Sequence, residues 1–276
     1  NGGNVSAQAG SADASGNFDV LGSGDVAAGA LIANAALDLR ADRSFIDLGT
    51  TGSIDGISKL GVLNPAGALT PASVTAETQI GDADVSGAFV NFGILGNDGD
   101  TVLRAGSTSG GIQGAATSSA TATADVGGAG NATANQLGVT VGIYGADLYG
   151  GTGNASANPA ANAIVGTADA TFSTTAETGT GNATATSGNQ VGGLIENPLA
   201  NRRGIIRTSG NVTATALLRD TVVATTNTGI ANATSSSEVV GISGYDITLT
   251  GPNSSINVLA GGTISVTSTT LNQTTP

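Results

Sequence analysis

Apolar and polar positions alternate with a period of two along much of this chain. Ala120, Ala122, Ala124 and Val126 alternate with Thr121, Thr123 and Asp125; Ala168, Ala170 and Phe172 alternate with Asp169 and Thr171; Ala33, Ala35, Leu37, Leu39 and Ala41 alternate with Asn34, Ala36, Asp38, Arg40 and Asp42. Side chains two apart on a strand share a face, and helical spacing fits none of these runs as well. They predict strands whose inner face is mostly alanine. Backbones on either side of such a face approach closely, so stability comes from continuous main-chain ladders and stacked Val, Ile and Leu.

The stretch 241–271 shows the pattern most clearly. Ile247 and Leu249, Ile256 and Val258, and Ile264 and Val266 are apolar pairs, separated by the turn signals Thr250-Gly251-Pro252-Asn253 and Ala260-Gly261-Gly262. Three short strands are predicted, and three such strands make one coil of about 25 residues.

A longer period overlies this one. Phe92-Gly93-Ile94, Val141-Gly142-Ile143, Val191-Gly192-Gly193 and Val240-Gly241-Ile242 follow one another at steps of 49, 50 and 49 residues. Asp82-Ala83-Asp84-Val85, Asn131-Ala132-Thr133-Ala134, Asn182-Ala183-Thr184-Ala185 and Asn232-Ala233-Thr234-Ser235 precede them by 10, 10, 9 and 8 residues. Self-similarity at a fixed period marks units that stack into one continuous core. The expectation is an all-β, parallel β-solenoid spanning 1–276 as a single domain, less regular over 1–91 and clearly repetitive over 92–276. Its 49-residue repeat is read as a double coil. About eleven coils rising ~4.8 Å each would make a rod of about 50 Å. Gly-rich corners supply the positive φ angles of the bends, and 59–71, with two prolines, forms an irregular excursion. Residues 267–276 read as a polar terminal strand or tail. The alternative is a β-sandwich that exchanges a donor strand with its neighbour.

Composition changes the picture in one respect. Aromatic residues are 3% and charged residues 10%, with no Trp, Met, Cys or His, so an ordinary globular core cannot be filled. An apolar fraction of 39% is nevertheless too high for a disordered Gly/Ser-rich chain.

Ile247-Thr248-Leu249-Thr250-Gly251, Ser255-Ile256-Asn257-Val258 and Gly262-Thr263-Ile264-Ser265-Val266 resemble the coil sequence of bacterial surface β-helices. These are the filamentous-haemagglutinin-like adhesins and autotransporter passengers. The resemblance implies a right-handed parallel β-helix, export to the cell exterior, and work in adhesion or surface assembly rather than catalysis. A repeat-built extracellular filament subunit is the closer analogy.

The chain starts at Asn1 and has no Met, which reads as a leader removed or an excerpt of a longer protein. The longest apolar stretch, 26–39, carries Asn34 and Asp38 and is too short for a spanning helix, so no membrane insertion is expected. A net charge of −12 disfavours nucleic acid and anionic lipid, which need a basic footprint. Without Cys there is neither a disulfide framework nor a thiolate metal site.

Eight Asn-x-Ser/Thr sequons, at Asn4, Asn131, Asn154, Asn182, Asn211, Asn232, Asn253 and Asn272, are glycosylation candidates. The competing role for them is an Asn at a coil corner bonding backbone. Ser-His and Cys-His triads are excluded by composition. Asp82/Asp84 and Asp98/Asp100 are the nearest carboxylate pairs for sugar hydrolysis, and each reads more simply as outward strand positions or a polar turn. Gly96-Asn97-Asp98-Gly99-Asp100 is an oxygen-rich turn, making Asp98 and Asp100 the calcium candidates; no other cofactor is indicated. Gly127-Gly128-Ala129-Gly130-Asn131 and Gly150-Gly151-Thr152-Gly153-Asn154 open like a calcium-binding nonapeptide, but Ala132 and Ala155 stand where that motif has Asp. Tyr144, Tyr149 and Tyr245 are the only tyrosines available as sugar platforms, and Arg202, Arg203 and Arg207 form the one cationic cluster, within 197–207.

The expected function is therefore non-enzymatic: an extracellular, self-assembling subunit of a cell-surface filament or layer, its partner another copy of itself joined through terminal strands. An adhesin binding glycans or other cell-surface components through 59–71 or 197–207 is the alternative. Lesser alternatives are an ice-binding solenoid, prompted by Thr121/Thr123 and Thr213/Thr215 but lacking an evident Thr ladder at every coil, and a polysaccharide-degrading β-helix enzyme.

Overall fold

The computed structural model describes residues 5–12, 16–39, 46–50, 53–63, 69–96, 101–106, 110–151, 162–196 and 203–271. Those residues are all-β, and parallel strands stack in three sheets, here called A, B and C. The first coil places β1 (Val5–Ala12) and β2 (Gly16–Ser23) in sheet A, β3 (Val26–Asp38) in sheet B and β4 (Ile46–Gly49) in sheet C. The second places β5 (Ile54–Leu60) in sheet A, followed by a hairpin of β6 (Val62–Leu63) and β7 (Leu69–Thr70). It returns to sheet A with β8 (Ala72–Ile80), then runs through β9 (Ala83–Leu95) and β10 (Thr101–Arg104). In the third and fourth coils single long strands replace the split ones: β11 (Ile112–Ala129), β12 (Ala132–Tyr144) and β13 (Asp147–Gly150), then β14 (Asn162–Thr180), β15 (Ala183–Ile195) and β16 (Gly204–Thr208). The fifth comprises β17 (Asn211–Thr228), β18 (Ala231–Ser235), β19 (Glu238–Ser243) and β20 (Tyr245–Leu249), and β21 (Ile256–Thr270) adds a last strand to sheet A.

The A-to-B corner is made by glycines that recur in register. Gly81, Gly130, Gly181 and Gly229 have φ of 123°, 154°, 138° and 147°, a region that side chains avoid. At Gly130 a second constraint applies, because a Cβ there would run into the carbonyl oxygen of Gly81 in the coil before. Beside each corner an Asx side chain ties one coil to the next. Asp25 Oδ1 accepts the Asp82 N–H at 3.0 Å, Asp82 Oδ1 the Asn131 N–H at 2.8 Å, Asn131 Oδ1 the Asn182 N–H at 3.0 Å, and Asn182 Oδ1 the Ile230 N–H at 3.1 Å.

Two apolar clusters fill the interior. Near the A-to-B corner, alanines such as Ala120, Ala122, Ala124, Ala132 and Ala134 face one another across a thin layer with Phe89 and Phe172. Toward sheet C the space widens and is filled by Ile112, Ile143, Leu148, Ile164, Leu194 and Ile206. Between the clusters the backbones of sheets A and B touch. A Cβ on Gly142 would lie 2.5 Å from the Thr167 nitrogen and 2.7 Å from the Gly193 oxygen, and a Cβ on Gly193 2.9 Å from the Ala214 Cβ. This contact explains the Gly of the Val-Gly-Ile motif, while the residue after it turns into the wider cluster.

Several sequence expectations need correction. One repeat is one coil: Ile94 pairs with Ile143, Ile143 with Leu194 and Leu194 with Ile242 as direct neighbours. The 25-residue coil and the double-coil repeat fail because strands of up to 19 residues form the sides, far longer than the short strands assumed. The six levels of sheet A span about 24 Å instead of 50 Å. Ile256/Val258 and Ile264/Val266 belong to one strand, β21, which runs straight through Gly261–Gly262. The structural counterpart of Val141-Gly142-Ile143 is Gly192-Gly193-Leu194, one residue later than the sequence match. In β3 the inward residues are Val26, Ala28 and Ile32, and Ala33 is exposed; the expected phase over 33–35 was one residue out, whereas Leu37 does pack on the sheet C cluster. All pairings between described strands are parallel except β6 with β7, which removes the sandwich alternative. That antiparallel hairpin is the form taken by the excursion expected over 59–71. The stack of equivalent residues along one axis, Ile94 on Ile143 and Leu194 on Ile242, is as expected.

Candidate functional site

The feature that sets this solenoid apart is its uncovered end at β21. Ile256, Val258, Ile264 and Val266 occupy the same columns as Val212, Ala214, Asp220 and Val222 of β17. In β17 these side chains are at most 1% exposed; in β21 the four are 46%, 53%, 49% and 45% exposed. Among the described residues no B or C strand follows β21. The outer edge of β21 is likewise unpaired, and its fifteen residues carry no charge, although charges are the usual device for blunting an edge. One local exception is Ser268, whose Oγ accepts the Ala233 N–H at 2.9 Å and covers one donor of the neighbouring β18 edge. At the opposite end, β1 and β2 pair only with β5 and β8, and β3 only with β9.

A second surface is the outer face of sheet A. Ser73, Thr121, Ser173, Thr221 and Ser265 stack in one column, and Thr75, Thr123, Thr175, Val223 and Thr267 in the next. Hydroxyl residues therefore recur at these columns, but Ser alternates with Thr in the first and Val223 interrupts the second, so a Thr ladder at every coil is absent, as expected. At Thr213 it is absent too, since Gln113 and Val165 share that column. Beside the hydroxyl columns Glu77, Asp125 and Glu177 stack in successive coils. Burial raises the Asp125 carboxyl above its ordinary value.

The expected site residues scatter over the molecule. Asp98 and Asp100 lie outside the described residues, as do Asn4, Asn154, Asn272 and Arg202. Asp82 is a corner residue bonded to Asn131 and Asp84 an exposed residue on sheet B, so this pair does not converge on a cleft. Among the sequon residues, Asn131 and Asn182 serve the corner ladder described above, and Asn131 Nδ2 also donates to Asp82 Oδ1 at 3.2 Å. Asn211 Oδ1 accepts the Ser255 N–H at 2.9 Å, performing the same task at another corner. Asn232 and Asn253 are exposed. Tyr144 packs on Phe92 with ring centroids 5.5 Å apart, and the Arg104 guanidinium covers Tyr149 at 4.5 Å, so neither ring forms an open platform. Arg203 pairs with Asp246 at 3.1 Å, and Arg207 is exposed.

Sequence reasoning missed a row of polar residues inside the coil. Asn91 accepts from Ser58 and donates through Nδ2 to the Thr117 carbonyl at 2.8 Å; Thr140 donates to Ser118 at 2.7 Å; Thr174 donates to Gln136 at 2.7 Å. It also missed the corner where Tyr245 donates to the Ala146 carbonyl at 3.0 Å. There burial raises the phenol well above its ordinary value, and the charge of the buried Glu196 adds to the effect. Nothing in the alternation distinguishes an inward Ser or Asn from an inward Ala until the facing strand is known.

Comparison with protein-family models, with curated proteins and with solved structures found no match.

Proposed function

We propose that this chain is an extracellular structural protein, a self-assembling subunit of a cell-surface filament or layer that grows by stacking coil on coil. The observation that carries the reading is the apolar, uncharged and unpaired face of β21. Its occupant is a second copy of the chain, and two features support that choice. The interface between any two interior coils is itself a head-to-tail repeat of the same surfaces, and heterologous contacts that do not close generate filaments. The columns also continue in register: Val5 pairs with Ile54, and Ile54 stands in the column that runs through Ile112, Ile164 and Val212 to Ile256. A following copy would set its Val5 over Ile256 and extend the parallel ladder of sheet A. The four residues are already about half covered, so completing their burial would add roughly 0.7–1.5 kcal/mol each. The exported location in this reading rests on the resemblance of 247–266 to surface β-helices.

The test uses the full chain and a Val258→Lys/Ile264→Lys variant, compared by sedimentation and electron microscopy. Wild type forms regular polymers, while the variant stays monomeric with an unchanged β-sheet circular dichroism signal. Removal of 267–276 shortens the polymers. A wild-type protein that remains a single rod, or a variant that polymerises equally well, overturns the reading; a rod that binds glycan arrays instead favours the adhesin.

One observation favours a second reading. The two columns on the outer face of sheet A carry Ser or Thr hydroxyls at every described level from 73 to 267 except Val223, the kind of repeated donors and acceptors that an ice-binding surface uses. Thermal hysteresis abolished by Thr121→Leu/Thr123→Leu would support it, and its absence in wild type would remove it.

A further inference from the structure

A carboxylate lies inside the solenoid without an ion pair to any described Lys or Arg. Asp220 occupies the inward column Ala72, Ala120, Phe172, Asp220, Ile264, in which every other member is apolar, and is 1% exposed. Its Oδ2 accepts three hydroxyls: Ser187 at 2.6 Å, Ser235 at 2.8 Å and Ser237 at 2.8 Å. Its Oδ1 is buried and has no hydrogen-bond partner. The neighbouring Arg219 points the other way and pairs with Asp169 at 2.7 Å on the outer face.

Asn189 belongs to the same interior. It is 2% exposed, and neither its Oδ1 nor its Nδ2 has a partner. Its N–H donates to Ser237 Oγ at 3.2 Å, so Asn189 and Asp220 share that serine. Its carboxamide oxygen lies over Gly138, where a Cβ would meet it at 2.5 Å and the Phe172 ring at the same distance. Phe172 is the residue directly before Asp220 in the column.

A buried charge is stable only when paired, coordinated or neutralised. Three hydroxyls satisfy one oxygen of Asp220 without offsetting its charge. The unused acceptors there are oxygens, Asp220 Oδ1 and the remaining lone pairs of Ser187, Ser235 and Ser237, whereas the Asn189 carboxamide oxygen turns toward Gly138 in the coil before. Hard cations choose oxygen donors of this kind.

We propose that Asp220, Ser187, Ser235 and Ser237 form an internal binding site for one small, oxygen-preferring cation between the fourth and fifth coils. A sodium ion would balance the single carboxylate; calcium would bind the same donors with charge to spare. The site lies beneath the coil that β21 covers, so its occupancy stiffens the end at which the solenoid is open.

The experiment follows thermal unfolding of the full chain, freed of metal by chelator, with sodium chloride or calcium chloride exchanged for tetramethylammonium chloride at constant ionic strength. Elemental analysis of the loaded protein gives the stoichiometry. Expected are a midpoint raised by several degrees with sodium or calcium but not with tetramethylammonium, one ion per chain, and loss of both in Asp220→Asn. The ranking of sodium against calcium tells which ion is preferred. Should Asp220→Asn fail to fold, Ser237→Ala and Ser235→Ala serve instead, each weakening the apparent affinity about tenfold, which corresponds to the 1.4 kcal/mol typical of one lost charge-assisted bond. Asp125→Asn, on the outer face of sheet A, and Asp100→Asn, a calcium candidate of the sequence, serve as controls and leave the response intact. No difference between the cations overturns the proposal. So does a response that survives Asp220→Asn or that disappears in Asp100→Asn. A stability that depends on pH and not on any cation shows that a proton neutralises Asp220, and overturns it as well.

Discussion

Gly142 of sheet B rests on the backbone nitrogen of Thr167 in sheet A, with room for no more than a hydrogen: a methyl group there would lie 2.5 Å from that nitrogen. The same contact recurs at Gly93 with the Ala115 nitrogen, while Gly193 and Gly241 meet the side chains of Ala214 and Val258, and the row divides the alanine layer from the wider Ile/Leu layer. The motif marks the waist of the coil.

Gly142→Ala is accordingly expected to cost about 3 kcal/mol or more, since rigid main chain rather than a flexible side chain must yield. Gly261→Ala, in a strand of the same sheet system but with nothing within 4 Å of the added Cβ, is expected to be neutral or slightly stabilising. Urea midpoints of the two variants check the contrast, and equal stability would remove the waist from the account.

At the A-to-B corner, Asn131→Ala removes the acceptor for the Asn182 N–H and the donor to Asp82. The expected loss is about 1 kcal/mol, read by denaturant unfolding. Asn131→Asp keeps the acceptor and recovers most of it, less the repulsion from Asp82. A glycan on Asn131 Nδ2 would compete with the Asp82 bond, so mass spectrometry of exported protein is expected to find Asn232 and Asn253 modified before Asn131.

Asp125 has its carboxyl raised by burial, so protonation favours the folded state. Its ionised form therefore reduces stability at neutral pH, and that reduction disappears as pH falls through the raised folded value and below the ordinary one. Asp125→Asn is expected to stabilise the protein at pH 7 and to match wild type near pH 3. Thermal midpoints across that range check the sign.

Much of the architecture was legible in the chain. The alternation through 120–126 and 168–172 identified inward faces correctly, because one residue per side is a local property of a strand. The glycines before each Asn-Ala-Thr announced corners, since positive φ is a demand that the backbone makes without reference to distant partners. The assembly surface was legible only in outline. Residues 267–276 read as a terminal strand or tail through which copies join, but the single strand β21 and its open inner face appear only once the strand pairing is known. Asp220 was invisible, as an inward Asp and an outward one look alike in a sequence.

The steps between equivalent residues show where sequence stops. Ser73, Thr121, Ser173, Thr221 and Ser265 are direct neighbours although their spacings are 48, 52, 48 and 44 residues. A fixed ruler of 49 misses the column because segments of unequal length join the sheets. The amino-acid sequence by itself determined strands, corners and stacking, all of which are settled within a few residues by sterics and side-chain period. The tertiary structure alone decided that one repeat closes one coil, which hydroxyls align and which carboxylate is enclosed. Those depend on how far each strand runs before it turns, and that length is set by packing against the coil beneath.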